Sequence, residues 1–286
     1  VVEKSASEAR RGSMPELPEL AILGQQMDKE IKGKQISEVE VFQPKCLNMP
    51  PKEFTRAIAN KTIGSITIKG KWLFLKLHPG YELLLNLGMG GDLLYFLPDG
   101  LLPKKYQFKL TFTDGSGFTI RFWWFGYIHL ARDEELTKHK LTGSLGVSPL
   151  DKEFTPEYLR KLLEKNNRST IKPFLLNQNN TAGIGNFYIQ DILFKSKLHP
   201  KRKISSLTDQ ERDALHNSIK EILNLSIQLG GSAFEKNFYG QRGKYGIEEI
   251  LVGYKQGKPC PVCLAPIEKI KTGNTSTFIC SNCQKF

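Results

Sequence analysis

The sequence predicts an α+β protein of three successive parts. They are a strand-rich N-terminal domain with one long helix, folded as a sandwich or flattened barrel, then a helical domain, then a small C-terminal metal-binding hairpin. Three observations predict this. Short alternations of apolar and polar residues, the period of strands, recur from about residue 34 to 135. From Thr155-Pro156 onward the apolar period changes to three and four residues, that of helices. Near the end, Cys260-x2-Cys263-x16-Cys280-x2-Cys283 has the spacing of a tetrahedral zinc site built from two knuckles.

In chain order, Val1 to Ser13 has no apolar periodicity and is expected to be a disordered extension, either a non-native remnant or a leader translated from a misplaced start. Pro18 is a good first helical residue, and Leu20, Leu23, Met27 and Ile31 then form one apolar face. Strands follow at Val39 and Val41, at Ile63 to Ile68, through Trp72 to Leu77, at Leu83 to Leu87, and at Leu93 to Leu97. Asp114-Gly115-Ser116-Gly117 joins Phe108–Phe112 and Phe118–Trp123 as a hairpin loop. A polar linker, Val147 to Phe154, leads into helices with faces at Tyr158, Leu159, Leu162 and Leu163, at about Ile171–Leu176, at about Asn186–Phe194, and from Thr208 to Ile227. Glu235 to Gly257 is polar and glycine-rich, with scattered tyrosines. Cys46 stands apart from the other four cysteines and reads as a free, partly buried thiol.

Length and charge narrow the function. The chain has 286 residues, enough for two cores plus a metal-stabilised module. Its 41 Lys and Arg against 29 Asp and Glu leave a formal charge of +12, a balance that favours a polyanionic partner. With clustered aromatics the balance favours nucleic acid over a small acidic substrate. No apolar run approaches the ~18 residues of a membrane span, and no secretory signal is legible, so the expected location is intracellular, in the cytoplasm at the nucleoid.

The stretch Met14-Pro15-Glu16-Leu17-Pro18-Glu19-Leu20 carries a possible chemistry. With Met14 and everything before it removed, Pro15 becomes a secondary amine with a pKa of about 8, partly neutral near pH 7. Such an amine attacks an aldehydic carbon and gives a cationic iminium directly, an electron sink for eliminations. Glu16 is placed to give and take protons, and Glu19, in the first helical turn, is expected to stay charged beside the helix dipole. An ordinary helix start offers the same residue types.

These motifs, in this order, resemble the Fpg/Nei family, the formamidopyrimidine-DNA glycosylases and endonuclease VIII enzymes, over about Met14 to Gln284. The resemblance implies a two-sheet β-sandwich with a long N-terminal helix, a helix-two-turns-helix domain and a zinc-finger β-hairpin. It implies excision of oxidised bases from double-stranded DNA by a monomer, followed by β,δ-elimination. Pro15, Glu16, Glu19 and Lys71 take the catalytic positions. Met89, in Asn86-Leu87-Gly88-Met89-Gly90-Gly91, takes the position of the methionine that fills the gap left by the everted base, and Phe125 of Phe125-Gly126 that of the wedge beside the opposite base. The run Ile171 to Tyr188 matches the helix-two-turns-helix. It makes Lys172 a backbone or lesion contact and Asn186 a phosphate ligand, with the backbone N–H groups of Ala182-Gly183-Ile184-Gly185 suited to a phosphate. The polar stretch after Gly231 takes the place of a segment that can close over the base. Cys260, Cys263, Cys280 and Cys283 hold one structural zinc ion.

Two departures stand out. Trp123 and Trp124 occupy positions where two arginines usually precede the wedge; Trp123 is read as part of the void-filling set and Trp124 as packing. Thr275 occupies the position of the hairpin arginine that clamps phosphates. The domains expected are 1–13 as extension, 14–145 as the catalytic sandwich, 146–235 as the helix-two-turns-helix domain, and 236–286 as the lesion-side loop and zinc finger. The expected activity is that of a bifunctional glycosylase and AP lyase favouring formamidopyrimidines or oxidised purines. A non-catalytic damaged-DNA or abasic-site binder on the same scaffold is the alternative.

Overall fold

A computed structural model of the chain describes residues 14–286; the expected extension, 1–13, lies outside the described residues. Helix α1 (Leu17–Ile31) begins one residue before Pro18, the first helical residue expected from the sequence, and buries Leu20, Leu23, Met27 and Ile31 in the core of the first domain. Leu17, the first residue of the helix, belongs instead to the core of the helical domain. The first turn of α1 is thus the seam between two cores, and the glutamates beside it are drawn into that seam.

The first domain is a sandwich of two four-stranded antiparallel sheets. One sheet has the order β1-β6-β7-β5, from β1 (Ile36–Val41), β5 (Asp92–Phe96), β6 (Phe108–Phe112) and β7 (Gly117–Arg121). The other has the order β2-β3-β4-β8, from β2 (Thr62–Lys69), β3 (Trp72–His78), β4 (Tyr81–Asn86) and β8 (Tyr127–Arg132). The sequence reading lacks β8 and the short helix α2 (Pro51–Ile58), and extends β7 two residues too far. Strand β8 matters for the site. The chain leaves the second sheet after Asn86 and returns to it at Tyr127, and these two residues are paired. The two loops that switch sheets, 87–91 and 122–126, therefore run side by side.

The helical domain comprises α3 (Pro156–Lys165), α4 (Ile171–Leu176), α5 (Ile189–Lys195) and α6 (Asp209–Gln228). Thr155 caps α3, its Oγ1 accepting from Tyr158 N at 3.1 Å. Thr208 and Glu211 cap α6 reciprocally, with Glu211 Oε2 reaching back to Thr208 N at 2.8 Å. Helix α5 starts three residues later than its apolar period suggests, because Asn186 to Tyr188 complete the preceding turn.

The polar stretch after Gly231 forms no helix or strand, yet it is tied down at several points. Phe238 is buried in the sandwich core and Tyr245 in the helical core. Asp191 anchors the end of the stretch by accepting from the N–H groups of Leu251, Val252 and Gly253 and from the Tyr245 hydroxyl. The chain closes with the hairpin β9 (Glu268–Thr272) and β10 (Thr275–Ile279), whose two-residue turn places Gly273 at φ +58°. Among the described residues, no helix is long and apolar enough to cross a membrane.

Candidate active site

Glu16 ends up almost wholly buried, 3% exposed, although it directly follows Pro15 at the start of the described chain. Its carboxylate accepts from Gly185 N at 2.7 Å and Phe187 N at 2.9 Å, so the glycine turn before α5 closes on the N-terminal acid. Leu17 N donates to Gly183 O in the same junction. A Cβ on Gly185 would stand 2.1 Å from Glu16 Oε1 and 2.3 Å from Lys71 Nζ, so the carboxylate and the ammonium converge on one point where only glycine fits. Burial pushes the Glu16 pKa up, and the Lys71 charge together with the two N–H groups pulls the other way. The sequence reading offered these backbone N–H groups to a DNA phosphate. At Gly185 and Phe187 the anion they hold is the Glu16 side chain.

Glu19 also departs from expectation. The helix dipole suggested a carboxylate that stays charged, but burial raises its pKa to about 7. It accepts from Tyr188 Oη at 2.5 Å, from Ser232 N at 2.9 Å and from Glu16 N at 3.0 Å. Tyr188 Oη is in turn 2.5 Å from Ser226 Oγ. Glu19 thus joins α1, α6 and the turn before α5 through one side chain. Tyr188, Ser226 and Ser232 gave no signal in the sequence, because a tyrosine or serine acquires such a role only through its neighbours.

Lys71 lies at the β2–β3 turn and lines a cleft of about 360 Å³ with Met14, Trp72, Asn86, Gly88, Phe125 and Gln178. Asn86, also missed as a site residue, holds two walls of this cleft. Its Nδ2 donates to Lys71 O at 2.9 Å and its Oδ1 accepts from Gly88 N at 3.0 Å. A larger cleft of about 600 Å³, beyond Tyr127, holds the His129–His139 pair and not Lys71. Of the two, the smaller one carries Lys71, the lysine that meets Glu16 above Gly185.

Met89 is half-buried and its backbone is bridged to the loop 122–126, with Met89 N donating to Trp124 O at 2.9 Å and Trp123 N to Met89 O at 3.1 Å. Phe125 is 69% exposed at φ +56°. Trp124 is 65% exposed, which corrects its reading as a packing residue; the buried aromatic of this loop is Phe122, beneath Gly126.

Lys172, on α4, is 1% exposed and sits between the helical domain and the zinc hairpin. Its ammonium donates to Asn186 Oδ1 and Thr277 Oγ1 at 2.8 Å, to Thr275 Oγ1 at 3.0 Å and to Ser276 O at 3.3 Å. All four acceptors are uncharged, and burial pulls the Lys172 pKa down to about 8. Thr275, expected at the position of a charged clamp, thus touches a charge supplied from another domain. Gln190 braces the same junction, accepting from Phe278 N and donating to Asn186 O.

The four cysteine sulfurs lie within 4.8 Å of one another, with Cys260–Cys283 at 3.8 Å and Cys263–Cys280 at 3.4 Å. A tetrahedral zinc thiolate site, with bonds of about 2.3 Å, needs sulfurs roughly 3.8 Å apart, so the set fits one structural zinc ion.

Comparison with known proteins decides the family. Residues 14–123 match the family model described as formamidopyrimidine-DNA glycosylase N-terminal domain, residues 145–237 the H2TH domain of the same glycosylase, and residues 257–285 the zinc finger found in FPG and IleRS. The formamidopyrimidine-DNA glycosylase of Bacillus licheniformis is 36% identical over 278 residues, covering 95% of this chain and 100% of that protein. The chain belongs to the formamidopyrimidine-DNA glycosylase family. Another relative, the glycosylase of Pelotomaculum thermopropionicum, is 35% identical over 280 residues, 95% of this chain and 99% of its own. Among solved structures, Lactococcus lactis Fpg in complex with abasic-site DNA superposes with a TM-score of 0.86 at 30% identity, over 95% of this chain and 100% of that one. The same protein bound to DNA containing N7-benzyl-Fapy-dG gives the same TM-score, identity and coverage. The fold is therefore the family's: sandwich, helix-two-turns-helix domain and zinc hairpin.

Proposed function

We propose that this chain is a bifunctional DNA glycosylase and AP lyase of base excision repair, acting on oxidised bases in duplex DNA with formamidopyrimidines and oxidised purines favoured. Family membership supports the reaction class, and the relatives' complexes with abasic and Fapy-containing DNA support the substrate. The observation that carries the mechanism is the convergence of Glu16, the residue after Pro15, and Lys71 on the point above Gly185.

Once Met14 and everything before it are removed, the Pro15 nitrogen attacks C1′ of the damaged nucleotide and the bond from C1′ to the base breaks. The departing base or the opening sugar ring takes its proton from Glu16, whose pKa burial raises. The resulting iminium acidifies the C2′ hydrogen. Its removal expels the 3′ phosphate, and a second elimination expels the 5′ phosphate. Lys71 steadies the negative charge of the flanking phosphate at the cleft, and Glu19 holds the helix start on which Pro15 and Glu16 are mounted. Met89, Trp123 and Phe125 fill the space left in the stack, since extruding a base costs a few kcal/mol that a plug offsets. Asn186 binds the phosphate backbone; Lys172, expected from the sequence as a DNA contact, is instead buried, and its ammonium holds Asn186 and the hairpin threonines in place. One zinc ion keeps the hairpin folded and performs no chemical step.

Borohydride reduction tests this. Protein beginning at Pro15, incubated with duplex DNA holding one abasic site, is expected to form a reduced covalent adduct on a denaturing gel. Protein that keeps Met14 is expected to form none, because an amide nitrogen has no available lone pair. Tight binding of the abasic duplex by the Pro15 form without any adduct would leave the non-catalytic binder as the correct reading.

A further inference from the structure

Three consecutive aromatic side chains, Trp123, Trp124 and Phe125, stand 62%, 65% and 69% exposed at the tip between β7 and β8. Large apolar side chains adjacent in sequence and all in solvent form a surface that needs a partner. The chain has three tryptophans, and the third, Trp72, is buried in the wall of the cleft. The exposed tip is nonetheless held firmly. Its backbone is bridged to Met89 on both sides of Trp124, and Gly88, at φ +56°, allows this approach because a Cβ there would stand 2.1 Å from Trp124 O. Phe122 fills the space under Gly126, and the Arg121 guanidinium lies 5.7 Å from the Trp123 ring centroid in a cation–π contact. Phe125 and Gly88 line the cleft that holds Lys71, so the tip is its rim.

The one charged group placed here against the tip, the Arg121 guanidinium, lies over the Trp123 ring, and the polar inventory of the three aromatic side chains themselves is small. The three side chains offer two indole N–H donors and no acceptor, and the Trp123 N–H and Trp124 carbonyl are already used on Met89. Reading a base by its edge takes matched donors and acceptors, usually a bidentate pair. A base's face, by contrast, offers a π surface whichever base it is, and stacking on aromatics is tolerant of sequence.

We propose that Trp123, Trp124 and Phe125 form a stacking wedge that engages the base opposite the everted nucleotide by its face, so that the protein accepts its lesion opposite any of the four bases. This rests on the glycosylase reading and specifies how the same site treats the second strand. Trp123 and Trp124 are the specificity-determining residues, and what they determine is indifference.

The test uses the full chain and binding alone, so it needs no free amine. Duplexes carrying one tetrahydrofuran abasic analogue opposite C, A, G or T, and an undamaged duplex, are titrated while tryptophan emission is followed. Emission is expected to fall on binding as the indoles stack, with Kd for the four damaged duplexes within about threefold. W123A and W124A are each expected to remove part of the quenching and weaken binding by about tenfold. A preference above tenfold for one opposite base in the unsubstituted protein overturns the inference and needs no variant to fold. Binding of the abasic duplexes without tryptophan quenching overturns it as well. In both cases the glycosylase reading stands. Equal affinity for damaged and undamaged duplex overturns that reading, and the inference with it.

Discussion

At the scale of single residues, the site depends on what is missing at Gly185. Its backbone is not in the left-handed region, so alanine meets no conformational obstacle there; the obstacle is the space taken by Glu16 and Lys71. Gly185→Ala is therefore expected to fold normally but to displace the acid or the lysine by about an ångström. Misplacement of that size costs on the order of 100-fold in rate. Borohydride trapping of Gly185→Ala on abasic DNA, set beside its melting temperature, checks this; an unchanged trapping rate would show that the convergence is not needed. Pro15, Glu16 and Glu19 were legible as candidates because their residue types and order carry chemistry, whereas Lys71 was legible only through the family resemblance. The need for glycine at 185 was legible only as a turn, since sequence does not reveal which side chains arrive from 169 residues away.

At the scale of elements, the hairpin β9–β10 has too little apolar surface to fold alone. Its Phe278 joins a small cluster with Phe194, Val252 and Ile267 beside the cysteines. Zinc binding to such a module contributes on the order of 10 kcal/mol to its folding. Removing zinc with a chelator is expected to unfold the hairpin and strip Thr275, Ser276 and Thr277 from Lys172, leaving Asn186 as its hydrogen-bond partner among the residues described here. DNA affinity, measured by gel shift, is expected to fall at least 100-fold while the main thermal transition of the sandwich stays within a few degrees. Retained affinity in metal-free protein would separate the hairpin from DNA binding. The cysteine spacing made this element plain in the sequence. The polar stretch from Glu235 to Gly257 was opaque because Phe238, Tyr245 and the contacts to Asp191 are isolated anchors with no period.

At the scale of the whole molecule, the sandwich and the helical domain meet at Glu19, and that contact is sensitive to pH. The folded pKa of about 7 lies above the 4.5 of an unperturbed glutamate, so the native state holds more protons than the unfolded state between those values. Stability associated with Glu19 is then fully present below about pH 4.5 and is lost as pH rises through 7. The loss is on the order of 3 kcal/mol if the shift is expressed in full. Melting curves of Glu19→Gln and the unsubstituted protein at pH 5 and pH 8 check this. The difference in melting temperature is expected to move in the variant's favour at the higher pH, and a constant difference would refute the assignment. The sequence by itself determined the three-part architecture, the zinc ligands and the catalytic candidates, because periodicity, ligand spacing and a reactive N-terminal motif are local properties of the chain. Only the tertiary structure decided that β8 brings the Met89 and tryptophan loops together, that the glycine turn holds Glu16, that Glu19 titrates near neutrality and that Lys172 stands at Thr275. Each of these depends on which distant groups share a buried volume, and burial sets both the hydrogen-bond partners and the charge that a side chain can carry there.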